Sequence, residues 1–150
     1  MSEYDVKQSL MYNIGIQCIK WCRKAYGKRK HRSVPKLELT AKRKVYAEYN
    51  YYDNVIEIDI KKHLVKSKNQ YTALDTKQYI NTIIHEYQHY LQNWTLMKSI
   101  GFTKTGKYID NNIYEQLAIK VAERDYNICI EHLSKKLKLS LDGKSRINLH

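Results

Sequence analysis

The chain has 150 residues, 27 Lys and Arg against 15 Asp and Glu, and a net charge of +12. That length suits one domain, residues 1–150, with a sizeable core, and one proline with five glycines argues against a linker-rich architecture. No run of 18 apolar residues exists, so no membrane span is expected, and residues 1–7 lack the basic-then-apolar order of a signal peptide, which points to the cytoplasm.

Residues 4–26 read as a helix, because Val6, Leu10, Ile14, Cys18, Cys22 and Ala25 recur at spacings of three and four. Gly27 is placed as a C-terminal stop. Cys18, Cys22 and Cys129 are an odd number with no C-x-x-C pair, and are expected to be small core residues. The basic run Lys28-Arg-Lys-His-Arg32 follows as an exposed loop. With Arg23, Lys24, 42–44, 61–62 and 135–136, it concentrates charge that favours nucleic acid or another polyanion; a merely solvated surface is the plainer alternative.

Residues 34–60 change period. Residues 35–40, 45–49 and 55–60 alternate apolar and polar side chains, as half-buried strands do, and short links between them predict an antiparallel meander. Residues 61–75 are polar and irregular. Asp75 or Thr76 is set to cap a helix running to about Lys98, Gly101–Gly106 forms a loop, and a last helix opens near 110–112 and runs to about Leu137. From Ser140 the tail is polar and expected to be loose. The fold class is therefore α+β: an N-terminal helix, a small antiparallel or mixed three-stranded sheet, and two further helices.

The helix beginning near residue 76 carries His85-Glu86-Tyr87-Gln88-His89. Residues four apart on a helix lie about 40° apart around its axis, so both imidazoles leave one face together, as two ligands of one Zn²⁺ ion would. Glu86 can reach a metal-activated water without being a ligand itself. Ile80, Ile83, Ile84, Tyr87, Leu91 and Trp94 form the core stripe, opposite Gln78, Asn81, His85, His89 and Gln92. In a chain with 28% charged residues, Glu86 is the only Asp, Glu, Lys or Arg between Gln78 and Met97, so this polar face suits a cleft better than open water.

A catalytic zinc usually takes three protein ligands. No histidine follows His89 until His132, so the third is expected to be a carboxylate of the last helix. Glu115 shares a stripe with Ala118 and Ala122, small residues that let two helices approach closely. Glu123 points about 80° away. Asn112-x-x-Glu115 is also a capping-box spacing, in which the carboxylate would serve the backbone instead. Glu115 is the first choice, with Glu123, Asp125, His132 or no third protein ligand left open.

H-E-x-x-H-x-x-Q on one helix, followed by Tyr114-Glu115-x-x-Ala118 opening a later one, resembles the gluzincin metallopeptidases, especially their minimal phage and bacterial forms. Leu117 stands where many members carry a second acidic residue. The resemblance implies a zincin-like domain, a zinc cofactor held by His85, His89 and Glu115, and hydrolysis of protein or peptide substrates with Glu86 as general base. It also implies a sheet edge that holds the substrate extended, and an oxyanion donor, for which Tyr108, Tyr114 and Tyr126 are candidates. Two alternatives share the sequence: an SprT-like protease acting on DNA-bound proteins, and a basic nucleic-acid-binding protein whose H-E-x-x-H is not catalytic.

Overall fold

The computed structural model describes residues 3–41, 45–92, 112–144 and 146–148. In chain order these form α1 (Glu3–Tyr26), β1 (Lys36–Thr40), β2 (Ala47–Asn50), β3 (Val55–Asp59), a 3₁₀ turn (Lys61–His63), β4 (Leu64–Ser67), β5 (Gln70–Asp75), α2 (Thr76–Leu91), α3 (Ile113–Leu137) and β6 (Arg146–Asn148). The chain is α+β, with three helices and two three-stranded sheets among the described residues. None of these helices is long and apolar enough to cross a membrane.

α2 is the centre of the packing. Its Tyr79, Ile80, Ile83, Ile84, Tyr87 and Tyr90 are fully buried. They meet Met11, Ile14, Cys18 and Cys22 of α1, Ile56 and Ile58 of β3, and Ala122 and Cys129 of α3 in one apolar cluster. Gly15 lets α1 come close: a Cβ there would collide with Leu37 and with the Tyr79 ring, whose hydroxyl donates to the Met11 carbonyl at 2.7 Å. Gly27, at φ 82°, ends α1 where the sequence places the stop. Ala25, expected on the core stripe, is exposed instead. The three cysteines are buried and free, as packing residues would be.

The first sheet is not the expected meander. Its order is β1-β3-β2, with β3 parallel to β1 and antiparallel to β2. Ile56 and Ile58 explain the choice: β3 buries the most apolar surface and takes the centre, leaving β2, with exposed Glu48, at an edge. At the end of β3, Ile60 N–H donates to Thr40 O at 2.8 Å and Asp59 N–H to Tyr46 O at 3.0 Å.

Residues 61–75, expected to be irregular, form the 3₁₀ turn and a β4–β5 hairpin. Lys68 and Asn69 both have positive φ, 49° and 64°, which matches the right-handed twist of a tight hairpin. The tail is not loose throughout: β6 pairs with β5 and buries Ile147 opposite Leu74. α2 also ends earlier than expected, at Leu91, with Gln92 extended. The remainder of that expected helix, including Trp94, lies outside the described residues.

Candidate metal centre

Asp75 starts α2, its carboxylate accepting from the Gln78 amide at 3.1 Å. Ten residues on, His85 and His89 leave one face, with side chains 17% and 10% exposed, so neither stands on an openly solvated face. Asn112 starts α3 in the same way, accepting from the Glu115 amide at 3.0 Å. The two sequence readings of this pair are thus partly compatible, because Asn112 caps the helix while the Glu115 carboxylate turns to the histidines. Glu115 Oε1 lies 2.5 Å from His85 Nε2, and its Oε2 lies 3.0 Å from His89 Nε2. The two Nε2 atoms are 3.2 Å apart. One ligand atom from each residue falls within 4.8 Å of the others. Ala118 and Ala122, fully buried, let α3 approach α2 as expected.

The histidine spacing fits a small tetrahedral ion. Two nitrogens each about 2.05 Å from such an ion stand about 3.3 Å apart. Gln92 fixes the tautomer that coordination needs. Its amide nitrogen donates to Tyr114 O at 2.9 Å, so its Oε1 must be the acceptor facing His89 Nδ1 at 2.7 Å. His89 Nδ1 therefore carries the proton, and an Nε2 lone pair is directed to the cluster once His89 is neutral. One side chain thereby orients a histidine of α2 and holds the first turn of α3, where Glu115 sits. Its place in H-E-x-x-H-x-x-Q was visible in the sequence; this role was not.

Glu86 is buried, and its carboxylate takes a hydrogen bond from the Tyr49 amide of β2. Burial pushes its pKa above the ordinary carboxylate value, opposed by the positive charge that His89 and His85 can carry and supported by the charge of Glu115. For His89, burial disfavours the charged ring. The Glu115 hydrogen bond and the Glu86 charge outweigh it and raise the pKa.

The other sequence candidates fall elsewhere. Glu123 and His132 are exposed along α3, Glu123 about 12 Å of helix beyond Glu115. Asp125 is buried, accepting from Tyr26 at 2.6 Å and pairing with Arg124 at 2.8 Å. Tyr126 packs under Lys77, in the first turn of α2, far along the helix from His85. Tyr114 meets Gln92 through its carbonyl, and Tyr108 lies outside the described residues. Comparison with protein-family models, characterised proteins and solved structures finds no match.

Proposed function

We propose that the chain is a zinc-dependent peptidase, with His85, His89 and Glu115 as metal ligands and Glu86 as general base. The observation that carries this reading is the convergence of a carboxylate from α3 on two histidines of α2 at tetrahedral spacing, beside a buried glutamate. Two imidazole nitrogens and one carboxylate oxygen form a donor set typical of catalytic zinc. Bound Zn²⁺ supplies Lewis acidity and makes water acidic enough to lose a proton near neutral pH.

Glu86 is suited to the proton transfers. Its burial raises its basicity, and the Tyr49 hydrogen bond holds the carboxylate in place, so it can take a proton from water and return it to the leaving amine. β2 is an edge strand of its sheet and presents the Tyr49 amide to Glu86. An extended peptide lying along that edge would bring its backbone past the catalytic carboxylate, consistent with modest side-chain preference. Three buried thiols outside any disulfide fit a reducing cytoplasm. A phage or bacterial origin rests on the family resemblance alone.

Metal analysis of protein purified without chelator tests the ligands, with one zinc per chain expected. Glu86→Gln should retain zinc and lose hydrolysis of a denatured protein such as casein by about 10²–10⁴-fold. A wild-type protein that neither carries nor takes up zinc overturns the proposal.

A further inference from the structure

We propose that the loop between α1 and β1, together with the β2–β3 turn, forms a docking surface for single-stranded nucleic acid. This stands independently of the peptidase reading. From Val6 to Leu37 the sequence contains no Asp or Glu and nine Lys or Arg. Arg23 and Lys24 at the end of α1, and Lys28, Lys30 and His31 in the loop, are all exposed.

The loop is held in place from beneath. Tyr87 OH donates to Gly27 O at 2.6 Å, Arg29 N–H donates to Tyr90 OH at 3.0 Å, and Tyr90 OH donates to Arg32 O at 2.9 Å. At its side, Asn54 Nδ2 donates to Ser33 O at 2.9 Å. These bonds fix the backbone that displays the cations, so a bound polyanion would order little more than their side chains. Tyr90 directly follows His89, which places this surface on the same helix as the candidate metal centre.

Aromatic rings distinguish this surface from a merely solvated basic run. The Arg32 guanidinium donates to Tyr51 O and lies 4.3 Å from the centroid of the Tyr51 ring. Tyr51 meets Tyr52 edge-on, at 5.9 Å and 81°. Tyr52 is 77% exposed, more than any other large apolar or aromatic residue among those described. Asp53 is the acid in the same turn, and its carboxylate accepts from Asn50 Nδ2 at 3.2 Å. Cations for phosphates beside an exposed ring for a base are the two components of single-strand binding. A duplex keeps its bases stacked inward and gains nothing from such a ring, and an acidic protein needs only the charge.

Fluorescence anisotropy of the full chain with a labelled 20-nucleotide single-stranded DNA, its duplex and heparin, over a range of salt, tests the proposal. Single-stranded DNA should bind most tightly, with log K falling linearly in log salt. Lys28→Ser with Lys30→Ser should make that slope shallower by about 1.4, at about 0.7 for each lost phosphate contact. Tyr52→Ala should weaken single-strand binding at least about fivefold while leaving the slope unchanged. All three positions are exposed, and circular dichroism checks that the variants fold. Equal or tighter binding to duplex or heparin, or no effect of Tyr52→Ala, overturns the proposal.

Discussion

Two groups of histidine meet at α2, one packed against it from the 3₁₀ turn and one carried on it, and their surroundings differ in a way that separates structure from chemistry. His63 is fully buried, with Nδ1 2.7 Å from Asp59 O and Nε2 3.0 Å from Thr82 Oγ1. A carbonyl can only accept, so Nδ1 donates and Nε2 accepts from the threonine hydroxyl. Both nitrogens are thus served by neutral groups and the ring is held uncharged; burial lowers its pKa accordingly. His85 and His89, three and seven residues beyond Thr82 on α2, instead aim both Nε2 atoms at each other and at a carboxylate. A histidine satisfied by backbone and hydroxyl ties the 3₁₀ turn to α2. Two histidines and a glutamate with convergent lone pairs form a group that could hold a cation.

The largest expected effect breaks the comparison directly. His85→Ala or His89→Ala should reduce zinc content to near zero with little change in melting temperature of the metal-free protein. His63→Ala should keep zinc but cost about 2 kcal/mol or more, because it leaves a cavity and takes the His63 acceptor from the Thr82 hydroxyl. Metal analysis and thermal denaturation of the three variants decide it, and zinc retained in both His85→Ala and His89→Ala places the metal elsewhere.

Glu115→Gln comes next. The Asn112 side chain accepts from the backbone amide of residue 115, so the cap survives the substitution and the variant should fold. Loss of the anionic ligand should still weaken zinc at least about 100-fold in a competition titration with a chelator, exceeding the effect of disturbing an outer residue. An unchanged affinity would make Glu115 a bystander that pairs with the histidines only in the absence of metal.

Gln92→Leu sharpens the contrast at one remove. It removes the acceptor that holds His89 Nδ1–H and the donor to Tyr114 O, and should cost about 10–100-fold in metal affinity. The d–d spectrum of the Co²⁺-substituted protein should also shift, and Gln92→Glu, which restores the acceptor, should recover part of the loss. A purely structural role would leave that spectrum unaltered.

The smallest effect concerns pH. The folded His63 pKa lies below its unfolded value of about 6.5, so the unfolded chain binds the extra proton first as pH falls. Stability should be constant with respect to this group above about pH 6.5 and decline below it, until the folded pKa is reached. Denaturant titrations from pH 7.5 to 5 on the wild type and on His63→Phe would show it, since the phenylalanine variant should lack that component of the slope.

Much of the local structure was legible because its causes are local. The apolar period of α2, the Asp75 cap, the Gly27 stop and the alternation of β1 to β3 each depend on residues within a few positions. The pairing of His85 with His89 also follows from helical spacing alone. The β4–β5 hairpin was missed because Lys68-Asn69 is a weaker turn signal than Asn-Gly and its strands are short. β6 was missed because three residues carry almost no periodicity, and only contact with β5 gives Ile147 a place to bury.

By itself, then, the sequence determined the three helices, the mixed class of the fold and two nitrogen donors on one face. Which carboxylate meets those donors was a matter of tertiary structure. Glu115 is 26 residues from His89, and nothing in either segment's periodicity separates a capping glutamate from a ligand. Packing of Ala118 and Ala122 sets the distance between α2 and α3, and the Gln92 bridge sets their register. The strand order β1-β3-β2 was likewise decided by which strand could bury both isoleucines against α2, a competition among segments that no single segment encodes.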